Sequence, residues 1–377
     1  MNISSSQCPG RKPHVRPHVE NSLWKERVPM RHIEDGPRPP DPPSGRPSLN
    51  VLLTGATGVL GRALLPKLAM HNVICLTHTT EMSEPGLKSL RGDVRLPRLG
   101  LSRGEFKELS SVTDVIVHAA ADTSFGAESA LVETNVAGTA RIVELAQESD
   151  ARLVYVSTAF SGVGADDDSP ALAYARTKAH AEQLVRASGL RAVIVRPSII
   201  VGDSRTGHIA RHQGFHKLLG AMMRGLLPLV PMDPSRLLDF VPQDVVAKHI
   251  ADLVDGISDT TDLWLTAGSR ALELGAVATE IHAAAGELGR PVAPVRFVDA
   301  DLYERLVVPV FLEAIPVRTR RLLTTLAEQL TPYVSTHGPF PSDVGDLPDQ
   351  VLTLRASVRR WAQANGYEAR NASVAVR

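Results

Sequence analysis

This sequence of 377 residues has few cysteines and no formal net charge. Its two cysteines, Cys8 and Cys75, stand in dissimilar contexts, which excludes a disulfide framework and suits a reducing compartment. Lys plus Arg and Asp plus Glu number 41 each, so the formal net charge is zero and no overall field favours nucleic acid or an anionic membrane. No apolar run reaches the length of a membrane span, and the first residues lack the apolar segment of a secretory signal. We therefore expect no nucleic-acid partner, no membrane span and a cytoplasmic location.

Proline, by contrast, is plentiful and concentrated at the start of the chain. Ten prolines fall within residues 1–47, many of them beside Arg or His. Such a density prevents regular helix or sheet. We expect residues 1–47 to be a disordered extension, with a docking arm around Trp24 as the alternative.

From Ser48 onward, short apolar runs alternate with helical patterns. The runs are LNVLLT, NVICLT, SLRGDV, DVIVHAA, RLVYVSTA, RAVIVRPSII and DLWLTAG. This alternation predicts a parallel sheet covered by helices on both faces and joined by right-handed crossovers. The fold class is then α/β, a doubly wound (Rossmann) parallel sheet with a smaller, mostly helical C-terminal substrate domain. We assign residues 48–204 plus 236–270 to an NADP-binding Rossmann domain, and residues 205–235 plus 271–377 to a substrate-binding lid.

A glycine-rich turn, TGATGVLG, lies directly between the first predicted strand and the first predicted helix. Gly55, Gly58 and Gly61 allow a tight turn and a close approach of a pyrophosphate to the backbone. The N-terminus of the helix adds N–H groups and the positive end of a dipole. The turn therefore predicts a dinucleotide-binding site, with Thr57, Val59 and Leu60 as further contacts.

The residues after the second predicted strand indicate which dinucleotide is bound. NAD-binding proteins commonly place an acid there, to hold the ribose 2′-hydroxyl. This sequence has THTT, and its first acid is Glu81. Arg62 follows the third glycine, so NADP(H) is favoured over NAD(H), with Arg62 and His78 as candidate contacts. After the third strand, Asp93 and its neighbour Val94 are candidates for the adenine.

The stretch AYARTKAHAEQ holds Tyr174 and Lys178 four positions apart. At about 3.6 residues per turn, the two side chains share one helical face. A free phenol has a pKa of about 10, and a nearby ammonium lowers it toward neutrality, where proton transfer is efficient. The pair alone is a weak signal, and the glycine turn upstream gives it meaning.

The order of the motifs is that of a known family. TGATGVLG, GDV, HAAA, NVAGT, VSTA and YARTK follow one another as in the extended short-chain dehydrogenases/reductases, which this sequence resembles. DVRLPRLGLS, VSTAFSG, VRPSIIVGDSRTG and LDFVPQDVVA resemble the thioester reductases and fatty acyl-CoA reductases within that family. The resemblance covers roughly residues 49–270.

This resemblance implies roles for individual residues. Tyr174 is the general acid of a reduction, Lys178 also holds the nicotinamide ribose, and Asn135 steadies the active-site helix. A hydroxyl on the reacting carbonyl comes from Thr158, with Ser157 as the alternative. Further cofactor contacts are implied at Ala119, Ala120, Ala121, Pro197 and Ser198, and substrate contacts at Ser157, Phe125, Phe160 and Phe215.

The sequence departs from the family pattern at three places. The linker between Thr158 and Tyr174 is short for an extended member, THTT replaces an arginine after the second strand, and no adenylation or carrier domain precedes the glycine turn. The acyl group is therefore expected to arrive on a separate thiol, that of CoA or of a separate acyl carrier protein.

The implied activity is NADPH-dependent reduction of an acyl thioester to aldehyde or alcohol, by a monomer or homodimer. One alternative is a family member that acts on a sugar nucleotide or on a hydroxysteroid-like alcohol or ketone. Another is a non-catalytic NADP-sensing regulator, although the Tyr and Lys that such relatives commonly lose are intact.

Other catalytic chemistries find little support. His208, His212 and His216 recur every four residues, but without a nearby carboxylate or Cys they do not indicate zinc, and no metal is expected. The sequence also has no GxSxG motif of a serine hydrolase.

Overall fold

The computed structural model describes residues 47–80, 82, 87–124, 127–162, 172–257, 260–303, 305, 333–334 and 338–367. The predicted extension over residues 1–47, with its alternative docking arm, lies outside the described residues except for Pro47.

A parallel sheet forms the centre of the described fold. Its strands run in the order β11, β6, β5, β4, β1, β2, β3, and each pairs in parallel with its neighbours. The strand order reverses between β1 and β4, and in such sheets ligands bind beyond the carboxyl ends of the strands at that point. The predicted α/β, doubly wound class is confirmed. The strands of this sheet are β1 (Asn50–Thr54), β2 (Asn72–Thr77), β3 (Lys88–Arg91), β4 (Val115–His118), β5 (Arg152–Val156), β6 (Ala192–Pro197) and β11 (Asp262–Leu265).

Short strands outside the central sheet pair among themselves. β7 pairs with β10 in parallel, β9 with β12 antiparallel, and β8 with β13 in parallel. Their bounds are β7 (Ile199–Val201), β8 (Leu229–Val230), β9 (Leu237–Leu238), β10 (Phe240–Pro242), β12 (Leu272–Glu273) and β13 (Arg296–Phe297).

Helices alternate with the strands of the sheet and then dominate the C-terminal part. None of them, in the described part of the chain, combines the length and the apolar character that a bilayer span requires. The α-helices are α1 (Val59–Leu64), α2 (Arg103–Val112), α3 (Glu128–Leu131), α4 (Gly138–Ser149), α5 (Ala173–Ala187), α6 (Gly214–Met223), α7 (Gln243–Val254), α8 (Leu274–Glu287), α9 (Ala300–Leu302) and α10 (Gln350–Ala364). Turns of 3₁₀ type occur at Leu65–Leu68, Pro97–Gly100, Ala159–Gly162 and Gly268–Arg270, and a π-helical segment spans Val132–Ala137.

Buried apolar side chains form two clusters. The first lies between the sheet and the helices α1 and α7, and includes Leu53, Val117 and Ile250. Cys75 is fully buried in this cluster. The second joins α6, α8 and α10, as residues such as Leu219 and Trp361 show. The division of the chain into a cofactor domain and a lid stays a prediction.

Two predicted elements differ from the observed ones. The run RAVIVRPSII, expected as one strand, is two: the Ser198 N–H bonds Leu265 O in the central sheet, whereas the Ile199 N–H bonds Asp239 O and leads into β7. The first helix, predicted to follow the glycine turn, is short: it ends at Leu64, and a 3₁₀ turn with Pro66 follows it. Proline has no N–H to continue an α-helical ladder.

Candidate active site

A cavity of about 680 Å³ opens beyond the carboxyl ends of the central strands. This volume is typical of a site for a cofactor or a small ligand. Fourteen of the predicted site residues line it, and they come from the glycine turn, the segment after β4, the ends of β5 and β6, and the helices α5 and α6. They are Gly55, Gly58, Val59, Leu60, Gly61, Ala119, Ala121, Ser157, Thr158, Phe160, Tyr174, Pro197, Ser198 and Phe215.

The glycine turn has no room for side chains. Gly55 has a φ of +74°, and a Cβ there would lie 2.6 Å from the backbone of Ala119 and Ala120. A Cβ at Gly61 would lie 2.2 Å from Gly55 O. The segment after β4 is held against the turn, since the Ala120 N–H donates to Thr54 Oγ1 at 3.1 Å. A tight, bare backbone surface at a helix start is what a pyrophosphate requires.

Lys178 is buried and does not line the cavity. It is 1% exposed, its Nζ donates to Val156 O at 2.7 Å, and the same atom lies 4.3 Å from the centre of the Tyr155 ring. Burial lowers the pKa of Lys178 to about 7, although the carboxylate of Glu182 opposes that shift. The predicted contact of Lys178 with ribose stays a prediction.

The expected lowering of the Tyr174 pKa is wrong for this structure. Tyr174 lines the cavity, but burial, and then the neighbouring Tyr333, raise the pKa of its phenol. The reason is physical: a phenolate loses more by desolvation than it gains here from an ammonium that donates to Val156 O. The phenol therefore holds its proton at neutral pH.

The two candidate hydroxyls after β5 have different partners. Ser157 Oγ donates to Glu182 Oε1 at 2.5 Å, and Ser161 Oγ donates to the same oxygen at 2.9 Å. Arg196 completes a buried network, since its Nε donates to Glu182 Oε1 at 3.0 Å. Among the described residues, Thr158 Oγ1 has only a long contact of 3.4 Å, from the Phe160 N–H. The geometry favours Thr158 over Ser157 as the group available to a substrate.

Asn135 lies in the π-helical segment and joins two parts of the site. Its Nδ2 donates to Asp122 O at 2.9 Å and to Thr177 Oγ1 at 3.1 Å, while its Oδ1 accepts from the Asp122 N–H at 2.8 Å. Thr177 precedes Lys178 in α5. Asn135 thus ties Asp122, which lines the cavity, to Thr177 of α5, and it does not line the cavity itself. Its role in steadying the active-site helix stays a prediction.

A charged group follows β2 and β3. Arg95 Nη2 donates to Asp93 Oδ2 at 2.8 Å, Arg95 Nε donates to Asp93 Oδ1 at 3.0 Å, and His78 Nε2 lies 3.3 Å from Asp93 Oδ2. These contacts with Arg95 lower the pKa of Asp93. Leu99, at a φ of +59°, accepts the Asp93 N–H at 2.8 Å and so fixes the loop. Side chains of this size seldom adopt positive φ, and such strain is concentrated at functional sites.

The predicted residues outside the cavity lining can be placed as well. Arg62 is exposed on α1, and Val94 packs beside Gly138 of α4. Phe125 lies outside the described residues. The remaining predicted residues that do not line the cavity are Thr57, His78, Asp93, Ala120, Asn135 and Lys178.

Sequence reasoning missed several groups of the cavity wall. Tyr333 lines it and meets Phe160 edge-on, with ring centres 5.0 Å apart. Arg211, His212 and Lys217 line the side formed by the start of α6. The only sequence signal for these cations was their density in RHQGFHK, immediately before an apolar helix face.

The three histidines His208, His212 and His216 do not converge on a common site. The rings of His212 and His216 stack with centres 5.1 Å apart, and burial lowers the pKa of His216 to about 4. His208 instead lies 3.4 Å from Arg360 Nη2.

The model of the NAD dependent epimerase/dehydratase family matches residues 51–247, more than half of the chain. This protein belongs to the NAD dependent epimerase/dehydratase family. The match includes the glycine turn, Thr158, Tyr174 and Lys178. The prediction of an NAD(P)-dependent oxidoreductase of the extended short-chain dehydrogenase/reductase type is confirmed.

Relatives of this epimerase/dehydratase family member include parts of much larger proteins. The hybrid PKS-NRPS synthetase pvhA of Talaromyces variabilis is 32% identical over an alignment of 239 residues that covers 58% of this chain and 6% of that protein. A polyketide synthase-nonribosomal peptide synthetase of Aspergillus clavatus is 30% identical over an alignment of 236 residues that covers 54% of this chain and 6% of that protein. This chain thus spans a small fraction of the length of these curated relatives.

Solved structures of reductase domains resemble this family member along most of its length. The terminal R domain from the myxalamid PKS-NRPS biosynthetic pathway is 26% identical, with a TM-score of 0.64 over 86% of this chain and 93% of that one. The reductase (R) domain of a nonribosomal peptide synthetase from Mycobacterium tuberculosis shares the fold, at 20% identity and a TM-score of 0.63 over 85% and 94% of the two chains. The predicted resemblance to the thioester reductase branch is confirmed.

Proposed function

We propose that this chain reduces an acyl thioester, carried on a pantetheine thiol, to an aldehyde with NADPH. One observation carries the proposal: the glycine turn, the end of β6, Thr158 and Tyr174 face a single cavity. The similarity to a terminal R domain supports a reductase, and the similarity to synthetases supports a carrier-bound thioester.

The residues present fit a dinucleotide. Gly55, Gly58 and Gly61 offer a bare backbone at the start of α1, and Pro197 and Ser198 line the same cavity at the end of β6. The glycine turn would hold the pyrophosphate, and the end of β6 would lie beside the nicotinamide. When bound, the nicotinamide supplies a hydride to the thioester carbonyl carbon.

Tyr174 and Thr158 act on the carbonyl oxygen. Negative charge grows on that oxygen as its carbon accepts the hydride, and Thr158 Oγ1 stabilises the charge by donating a hydrogen bond. Tyr174 then donates its proton to the oxygen. The raised pKa suits this role, because the phenol remains protonated at neutral pH until a strong base forms beside it.

The resulting hemithioacetal collapses through the same residues. Its hydroxyl returns a proton to the Tyr174 phenolate, the carbon–sulfur bond breaks, and the thiolate leaves and takes up a proton. The products are the aldehyde and the free thiol. Reduction of the aldehyde to the alcohol would consume a second NADPH, with Tyr174 again donating the proton.

The group at β2 and β3 supports NADPH as the reductant. At the end of β2, where an acid would hold a ribose hydroxyl, this chain has His78 beside Arg95, with Arg95 Nη2 and His78 Nε2 3.3 Å apart. Asp93 orients the guanidinium by a bidentate pair. A cation fixed in this way can meet a 2′-phosphate. Arg95, rather than Arg62 alone, is therefore our candidate for the phosphate contact.

The test uses one acyl group presented as thioester, aldehyde and free acid, together with UDP-sugars, while NADPH consumption is recorded. We expect the thioester and the aldehyde to be reduced and the acid to be inert, because a carboxylate is a poor hydride acceptor. Activity confined to aldehydes, ketones or UDP-sugars would overturn the proposed function.

A further inference from the structure

The cavity carries positive charge on its outer rim. Arg211 and Lys217 line it and are both exposed, with the half-buried His212 between them. With the side-chain amide of Gln213 turned so that its oxygen faces Arg211, that oxygen accepts from Arg211 Nη2 at 2.9 Å, and Gln213 is a neutral partner. Within the described part of the chain, neither Arg211 nor Lys217 pairs with a carboxylate. Two positive charges therefore remain available to an anion.

Local backbone adds to this positive rim. α6 begins at Gly214, and its N-cap Gln213 has an extended backbone and no side-chain capping bond. The first turn of α6 contains no acid, and Gly214 itself lines the cavity. The positive end of the helix dipole thus lies beside Arg211 and Lys217.

The interior of the cavity is neutral by comparison. Phe215 is 5% exposed, and Phe160, Tyr333, Thr158 and Tyr174 supply aromatic rings and hydroxyls. Asp122 is the one acidic side chain among the described lining residues, and its Oδ1 accepts the Ser124 N–H at 2.8 Å. Moving outward from the reacting centre, the wall therefore changes from apolar and hydroxyl groups to free cations.

An acyl thioester on pantetheine matches this cavity wall: it is neutral at the reacting end and negatively charged at the far end. The acyl chain and the thioester are uncharged, the pantetheine arm contains neutral amides, and its far end is a phosphate. We propose that Arg211 and Lys217 bind the 4′-phosphate of the pantetheine arm while the thioester lies beside Thr158 and Tyr174. This inference rests on the proposed function. The phosphate is common to a phosphopantetheinylated carrier protein, where it is a diester, and to CoA, where it is part of a pyrophosphate.

The experiment compares one acyl group on four thiols: pantetheine, 4′-phosphopantetheine, CoA and a phosphopantetheinylated carrier protein. In the wild-type protein we expect the 4′-phosphate to lower KM by about tenfold to a hundredfold relative to acyl-pantetheine, with little change in kcat. We expect the Arg211→Ala/Lys217→Ala variant to reduce this KM ratio to near one. Arg205→Ala removes an exposed cation of the preceding loop that does not line the cavity, and should keep the wild-type ratio.

Each other outcome is decisive. Thioester reduction with no preference for the phosphate would overturn the phosphate site and leave the proposed function intact. A preference seen only with CoA, or only with the carrier protein, would also overturn it, because the gain would then come from the nucleotide or from the protein surface. A raised KM for NADPH in the double variant, at an unchanged substrate ratio, would assign the cations to the cofactor. If no thioester is reduced, the proposed function fails and this inference fails with it.

Discussion

Burial shifts the pKa values of Tyr174 and Lys178 in opposite directions, and both shifts favour the uncharged side chain. The phenol keeps its proton, whereas a lysine with a pKa of about 7 is only partly charged at neutral pH. Glu182, one helical turn after Lys178, counteracts this loss, because its carboxylate raises the pKa of Lys178. A third residue of the same helix, Glu182, therefore influences the charge of Lys178.

Replacing Tyr174 by Phe should lower kcat by about 10²- to 10⁴-fold, the usual worth of a positioned general acid. Affinity for NADPH should change little, since the phenol acts on the substrate oxygen. Steady-state kinetics and a fluorescence titration of NADPH would measure the two effects. Tyr367→Phe, which alters a tyrosine of the second apolar cluster, is the control. A variant that kept more than about a tenth of the wild-type rate would contradict the assignment.

Glu182→Gln should change the pH dependence of the reaction. The substitution removes a negative charge, so the pKa of Lys178 falls further below its present value of about 7. If the reaction requires the ammonium, activity is lost as pH rises through that pKa, and the alkaline limb of kcat/KM moves to lower pH. Glu144→Gln, on the exposed face of α4, should leave the limb in place. A lower rate with an unmoved limb would reduce Glu182 to a purely structural role.

The preference for NADPH over NADH tests the role of a third residue, Arg95. Arg95→Ala should narrow the preference for NADPH over NADH by about tenfold to a hundredfold, because a charge-assisted contact with the 2′-phosphate is lost. Arg62→Ala, made in parallel, separates the candidate on α1 from the one after β3. Equal cofactor ratios in wild type and Arg95→Ala would contradict the assignment.

The contribution of the glycine turn to stability can be tested by comparing a glycine of the turn with a glycine of α2. Gly61→Ala forces a Cβ to within 2.2 Å of Gly55 O, so it should cost about 1–3 kcal/mol of unfolding free energy and weaken NADPH binding. Gly104→Ala in α2 meets nothing within 4 Å and should stabilise the fold by about 0.5–1 kcal/mol, since alanine is the better helix former. Urea denaturation of both variants would measure these changes. Equal stability of the two would mean that the turn relaxes freely.

Strands and the glycine turn could be predicted from the sequence because their signals are local. Each strand of the central sheet except the edge strand β3 appears as a short apolar run, and the turn is marked by three spaced glycines. The break after Pro197 could not be predicted, because it depends on bonds to Leu265 and Asp239, which are distant in the chain. The π-helical segment around Asn135 could not be predicted either, because its apolar residues follow the spacing of an ordinary α-helix.

In the candidate site, too, some residues could be predicted from the sequence and others could not. Tyr174, Lys178 and Thr158 stand in recognisable motifs, whereas Asp122 and Tyr333 reach the cavity wall only through the packing of the folded chain. Tyr333 approaches Phe160 from a segment more than a hundred residues later in the sequence. No periodicity in its own segment indicates that approach, so only the folded chain reveals it.

At the scale of the whole molecule, buried histidines should make stability sensitive to acid. Burial lowers the pKa of His118 to about 3 and that of His216 to about 4 from an ordinary 6.5. Below pH 6.5 the unfolded chain therefore binds protons that the folded chain does not. Unfolding free energy should fall as pH drops from 6.5 toward 4, by about 1.4 kcal/mol per pH unit for each histidine.

Urea denaturation between pH 6.5 and 4.5 checks this slope. His118→Gln should reduce the slope of unfolding free energy against pH by the contribution of about one proton, because the variant lacks one of the two buried histidines named above. His180→Gln, at an exposed position, should leave it unchanged. An unaltered slope in His118→Gln would show that His118 is protonated in the folded protein.

The position of α10 also bears on how this protein is made. A Cβ at Gly207 would lie 2.1 Å from Ala356 O, and one at Gly220 would lie 2.7 Å from the Trp361 ring, so α10 packs directly on the segment that carries Arg211 and Lys217. The strands and helices that hold the glycine turn and Tyr174 leave the ribosome first, and folding during synthesis proceeds from the N-terminal side. The wall around α6 can close only after residue 364 has emerged. We therefore expect the glycine turn of a nascent chain to fold before the wall around α6 is complete.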